Sequence, residues 1–142
     1  DKISLSFEEF INKIETLLNR ITNGKSRLNF YIQNKIPQGK LILKTTESVY
    51  LYRIIQEFSN NTLKYAHAKN LYLNFELNLI DNSIIFEIKD DGIGFELDSS
   101  KKKGNGLKNI IDRCNELFKE YRFESKPNSG TFLIIKIAND GK

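Results

Sequence analysis

The stretch Leu71-Tyr-Leu-Asn-Phe-Glu-Leu-Asn-Leu-Ile-Asp-Asn-Ser-Ile-Ile-Phe-Glu-Ile-Lys-Asp-Asp-Gly-Ile-Gly94 decides how the rest of the chain is read. Leu71, Leu73, Phe75, Leu77 and Leu79 alternate with Tyr72, Asn74, Glu76 and Asn78, the period of a half-buried strand. Asp81-Asn82 turns that strand into a second one, Ser83 to Asp90. In the second strand Ile84, Phe86 and Ile88 share one face, and Ile85, Glu87 and Lys89 share the other. Continuing the phase puts Asp90 on the apolar face and Asp91 on the solvent face. An ionised carboxylate there must find donors, because an unpaired buried charge is strongly destabilising. Read alone, the segment also fits an ordinary turn acid, since Asp-Gly is a common turn dipeptide. An EF-hand is excluded, because oxygen ligands do not alternate before a sixth-position glycine.

Outward from this hairpin, helices and strands follow one another. Upstream, Phe7, Phe10, Ile11, Ile14, Leu17, Leu18 and Ile21 have helical spacing, with Ser6 as N-cap and Asn23-Gly24 as stop. Arg27 to Gln33 reads as a short strand with Leu28, Phe30 and Ile32 on one face. Asn34 to Thr46 holds Pro37 and Gly39 and reads mostly as loop. A long helix then runs from about Thr46 to Ala66, burying Leu51, Ile55, Phe58, Thr62 and Ala66 as one stripe. Downstream, Asp90 to Gly106 has no period. Leu107, Ile110, Ile111, Cys114, Leu117 and Phe118 then mark another amphipathic helix. Tyr121 to Ser125 and Thr131 to Ala138 close the chain as two strands joined through Pro127 to Gly130. The expected fold is α+β, a two-layer α/β sandwich in which a mixed sheet carries its helices on one face.

Composition agrees with one domain spanning residues 1–142. The chain is 39% hydrophobic and 28% charged, too apolar for a disordered segment. No apolar run approaches the roughly 20 residues of a membrane helix, and the opening segment is not a signal peptide. The single cysteine, Cys114, excludes an internal disulfide and fits a reducing compartment, so a cytoplasmic location is expected. A net charge of +4, spread along the chain, does not single out a nucleic acid or a membrane surface as partner. The absence of methionine and the start at Asp1 suggest a piece of a longer protein.

Two further patterns carry chemistry. Arg53, Glu57, Asn61 and Lys64 follow at spacings of four, four and three, so they share one helix face. In that line Asn offers a neutral oxygen to Mg²⁺, Lys a point charge to phosphate, and Glu a proton acceptor. A solvated face of paired side chains has the same spacing. Adjacent Asn60-Asn61 in mid-helix is a poor choice for helix stability, which argues for a task. Gly104-Asn105-Gly106, after Lys101 to Lys103, directly precedes a helix start, where backbone N–H groups can meet an anion; a plain flexible loop reads the same way. Neither the dinucleotide fingerprint nor a P-loop is present.

Taken in order, these pieces resemble the ATP-binding catalytic domain of sensor histidine kinases, within the GHKL ATPase superfamily. Glu57 to Ala66 is similar to the family's E-x-x-x-N-x-x-K-H/Y-A box. Asp90-Asp-Gly92-Ile-Gly94-Phe95 is similar to D-x-G-x-G-F, Gly104-Asn-Gly106-Leu107 to G-x-G-L, and Gly130-Thr131 to the closing G-T. The resemblance implies ATP and Mg²⁺ as cofactors. It implies that Asp90 accepts from the adenine amine, supported by Thr131, and that Asn61 ligates Mg²⁺. Lys64 and Tyr65 would line the phosphate and sugar side. Gly92 and Gly94 would bend the backbone beside the base, and Gly104, Gly106 and Leu107 would frame a lid over the phosphates. Glu57 would be the catalytic acid–base position.

The loop between Gly94 and Gly104 is short and there is no separate F-box, as in the nitrate-sensor class of these kinases. The Tyr52-Arg53-Ile-Ile-Gln-Glu57 helix is similar to that class as well. Tyr65 stands where that class usually has histidine, and Asn128 replaces a customary glycine. The only histidine, His67, follows the first box and is not expected to be a phosphoacceptor. The implied partners are therefore a dimerisation domain bearing that histidine and, downstream, a response regulator. The rival readings are another GHKL enzyme, such as a chaperone or repair-type ATPase or an anti-sigma-type serine kinase, and a non-catalytic docking module.

Overall fold

The computed structural model describes residues 4–23, 28–39, 42–94, 106–118 and 120–138. Strand β1 (Ser4–Ser6) leads into helix α1 (Phe7–Thr22), and β2 (Asn29–Asn34) and β3 (Ile42–Lys44) precede helix α2 (Thr45–Asn61). Helix α2 continues as a π-helical turn, Thr62–Ala66, before the hairpin β4 (Asn70–Leu77) and β5 (Ile84–Asp90). Helix α3 (Gly106–Arg113) runs into a second π-helical turn, Cys114–Phe118, and β6 (Tyr121–Ser125) and β7 (Thr131–Ile137) complete the chain.

The main sheet has the order β2-β4-β5-β7-β6, parallel only between β2 and β4, while β1 and β3 form a separate antiparallel pair. The expected α+β sandwich with a mixed sheet is therefore the observed one. One continuous core joins the inner faces of α1, α2 and α3 to the alternate residues Leu71, Leu73, Phe75, Phe86, Ile88, Leu133 and Ile135. Phe75 is central to it, with ring centroids 5.2 Å from Phe7 and 4.8 Å from Phe86. Helix α1 begins in a reciprocal cap: the Ser6 hydroxyl accepts from Glu9 N at 3.1 Å and Ser6 N donates to Glu9 Oε1 at 3.1 Å.

Three local expectations are corrected. Leu79 is 87% exposed rather than on the buried face, because β4 ends at Leu77 and Asn78 N donates to Ser83 O to close a longer turn. The Asn34–Thr46 stretch is not all loop, since Ile42–Lys44 pairs with β1. Helices α2 and α3 do not stay α-helical to their ends; each closes in a π turn.

Candidate nucleotide site

The site begins at the end of β5. Asp90 occupies the core face, as its phase requires, and is only 7% exposed, while Asp91 faces solvent. Asp90 Oδ1 accepts from Gly92 N at 2.9 Å and Oδ2 accepts from Thr62 Oγ1 at 2.9 Å. Burial pushes the Asp90 carboxyl above its ordinary value, and the hydrogen bonds from Gly92, Thr62 and the Thr131 backbone pull against that rise. Asp90 pairs in register with Thr131 on β7, which pairs with Ser125 on β6. The Ser125 and Thr131 hydroxyls are 2.7 Å apart, so a row of polar groups crosses three strands inside the fold.

Around this row lies a narrow cavity, partly open to solvent. Phe58, Ala66, Leu107, Ile110 and Phe123 give it apolar walls, and Asp90, Thr62 and Thr131 a polar floor, with Asn61, Tyr65 and Gly94 also on its lining. A carboxylate at the floor of an apolar slot suits a flat heterocycle that brings its own N–H donor.

Backbone geometry brings the floor and the helix end together. A Cβ on Gly92 would lie 2.4 Å from Ala66 O, so only glycine lets this turn press against the π turn. Ile93 N donates to that same Ala66 carbonyl at 2.8 Å. Gly94 has φ +65° and packs on the Lys126 carbonyl, a position that strains any side chain. Asp91 fastens the other side: its Oδ1 accepts from Lys69 N and Asn70 N at 2.8 and 2.9 Å, and its Oδ2 from Asn70 Nδ2 at 2.7 Å.

Glu57 and Asn61 lie one helical turn apart and both reach the start of α3. A Cβ on Gly106 would come 3.0 Å from Asn61 Oδ1 and 3.1 Å from Glu57 Oε2. The structure thus brings Asn61, Tyr65, Asp90, Gly94, Leu107 and Thr131 to one cavity, with Glu57, Gly92 and Gly106 in the adjoining shell. Lys64 is exposed and does not line the cavity, because a π turn is wider than an α turn and a spacing of three no longer returns to the same face. Gly104, Lys101 to Lys103 and Phe95 lie outside the described residues. His67 is exposed, with φ 50°, and ends the π turn.

Sequence reasoning placed Thr62 in the core stripe and passed over Ser125. The available signal was a hydroxyl in an otherwise apolar helical stripe, the same kind of phase anomaly that drew attention to Asp90. Phe58 and Ile110 read from the sequence only as members of apolar helical stripes, and Phe123 only as part of a closing strand.

Comparison with known proteins bears directly on this geometry. Residues 46–140 match the family model described as histidine kinase-, DNA gyrase B-, and HSP90-like ATPase. The chain belongs to that ATPase family. It is 34% identical over 87 residues to the sensor protein VraS of Staphylococcus aureus (strain COL), covering 61% of this chain and 24% of VraS. It is 30% identical over 118 residues to the signal transduction histidine-protein kinase/phosphatase DegS of Bacillus subtilis (strain 168), covering 81% of this chain and 30% of DegS. The chain thus spans under a third of the curated relatives it matches. The fold is that of the histidine kinase domain of the blue-light activated kinase from Erythrobacter litoralis EL346 (TM-score 0.73, 17% identity, 98% of this chain and 63% of that one). It is also that of the catalytic domain of histidine kinase ThkA (TM-score 0.70, 13% identity, 96% of each chain). Among the described residues no helix of this ATPase-family domain is long and apolar enough to cross a membrane, and no three His, Cys, Asp or Glu side chains cluster as a metal cage.

Proposed function

We propose that this domain binds ATP·Mg²⁺ in the Asp90 cavity and presents its γ-phosphate to a histidine on a dimerisation domain of the same protein, in the cytoplasm, for onward transfer to a response regulator. The observation that carries the reading is a nearly buried carboxylate on the floor of an apolar slot, in a chain of this ATPase family. Asp90 accepts from an exocyclic amine, and the Thr131 hydroxyl lies beside it in the same row. Phe58, Ile110 and Phe123 exclude water from the faces of the base. Asn61, on the lining of the cavity, would hold Mg²⁺ through its amide oxygen, and the cation would supply charge neutralisation at the phosphates. Glu57, beside Asn61 at the start of α3, orients or deprotonates the acceptor imidazole. The nucleotide supplies the phosphoryl group, and the protein contributes position and charge neutralisation.

Titration of the purified chain with a fluorescent ATP analogue, with and without Mg²⁺, tests this. Saturable, Mg²⁺-strengthened binding that Asp90→Ala abolishes is expected. Undiminished binding by Asp90→Ala overturns the assignment of the base to this cavity.

A further inference from the structure

We propose that Thr62 is a positioning residue that keeps Asp90 a pure hydrogen-bond acceptor towards the cavity, and so sets the preference for adenine over guanine. The inference rests on the reading of Asp90 as the nucleobase acceptor and goes beyond it, since it assigns the selectivity to a second side chain.

The geometry is a three-atom chain. Thr62 Oγ1 lies 2.9 Å from Asp90 Oδ2 and 3.0 Å from Phe58 O, and Thr62 is itself buried. The hydroxyl has a single proton and two possible acceptors. The Phe58 carbonyl does not depend on it, because Thr62 N also donates there. When Asp90 is a carboxylate, the hydroxyl proton goes to Oδ2, where a charge-assisted bond is the stronger one. When Asp90 is a neutral acid, its proton lies on Oδ2 and is donated to Thr62 Oγ1, whose own proton swings to Phe58 O. In both states the Oδ2 site is occupied within the protein. Oδ1 meanwhile holds the Gly92 N–H, and Asp91 is the charged neighbour that acts on the pair. What Asp90 shows the cavity is therefore lone pairs in either protonation state. Adenine brings an amine to them. Guanine in the same orientation brings a carbonyl oxygen, which meets lone pairs with lone pairs and is rejected.

Without the Thr62 hydroxyl, burial favours the protonated acid and its proton has no partner inside the fold. It can then be donated into the cavity, where a carbonyl oxygen is an acceptable ligand.

The test is competition by ATP and by GTP against a fluorescent ATP analogue, in wild type, Thr62→Val, Thr62→Ala and Thr62→Ser, with thermal melts to verify folding. The expected result is an ATP-over-GTP preference in wild type that narrows about tenfold in Thr62→Val and is restored in Thr62→Ser. Thr62→Ala, which adds no bulk, carries the same expectation if Thr62→Val does not fold. Equal weakening of both nucleotides, or an unchanged ratio, in the folded variants overturns the role of Thr62 while leaving the adenine site standing. Wild type that binds neither nucleotide, or both alike, overturns the reading of Asp90 itself and this inference with it.

Discussion

Asp90 and Asp91 are consecutive, yet their carboxyl groups are driven in opposite directions. Asp90 points into the fold, and burial raises its pKa above the ordinary aspartate value of 3.8. Asp91 points out; its slight burial is outweighed by hydrogen bonds from Asn70 and Lys69, which lower it. One strand end thus carries an acid held at a thermodynamic disadvantage next to one that fastens the backbone around it.

For Asp90 the sign follows from the raised value. Its stabilising contribution is complete below pH 3.8 and is lost as pH rises through the folded-state pKa. Asp90→Asn removes that loss: the amide oxygen can accept from Gly92 N, and the amide N–H can donate to Thr62 Oγ1. The variant is expected to melt higher than wild type at pH 7, with the difference shrinking towards pH 4, and to lose nucleotide binding, because the second amide N–H, which the neutral acid lacks, meets the adenine amine donor to donor. Paired melts across that range and one titration check both halves.

For Asp91 the direction is reversed: its contribution is present above the ordinary aspartate value and is lost as pH falls through the lowered one. Asp91→Ala frees three donors at the junction of β4 and β5. In this exposed setting the loss is expected to be about 1–2 kcal/mol in urea unfolding at pH 7, smaller at pH 3.

Gly92 and Gly106 separate structural from functional glycines. Alanine at Gly92 meets a backbone carbonyl at 2.4 Å, so the turn must shift; a destabilisation of about 2–4 kcal/mol is expected. Alanine at Gly106 first meets the tips of the Asn61 and Glu57 side chains, at 3.0 and 3.1 Å, rather than backbone. Gly106→Ala is therefore expected to fold with little change in melting temperature and to lose about tenfold in the Mg²⁺-dependent part of nucleotide affinity. Denaturant unfolding and titration with and without Mg²⁺ distinguish the two.

Cys114 lies wholly inside the core, and burial pushes its thiol up to about 12. A thiol-reactive dye at pH 8 is expected to label the native chain far more slowly than the urea-unfolded chain, at a rate that follows opening of the α3 region.

What the sequence made legible was whatever repeats with a period or breaks one. The hairpin, the Ser6 cap and the inward turn of Asp90 all follow from alternation or spacing. The π turns do not, since Thr62–Ala66 has the same apolar pattern as an α-helix, and the Ile93 N–H that holds its last carbonyl comes from 27 positions on. Strands β1 and β3, three residues each, are too short to display a period. Leu79 was misplaced because an apolar residue just past a strand end continues the alternation without continuing the strand. Thr62 reads from the sequence as a hydroxyl in a buried stripe, but its pairing with Asp90, 28 positions away, leaves no local trace.

Phe58 and Ile110 belong at once to the cavity wall and to the continuous interior. The slot is lined by the same side chains that build the interior, so an apolar ring seated in it extends that packing. Occupancy and heat resistance are then coupled by mass action: at a hundredfold excess over its dissociation constant a tenant adds about 2.7 kcal/mol. A melting-temperature screen of small planar heterocycles would accordingly rank them by how well each completes the interior.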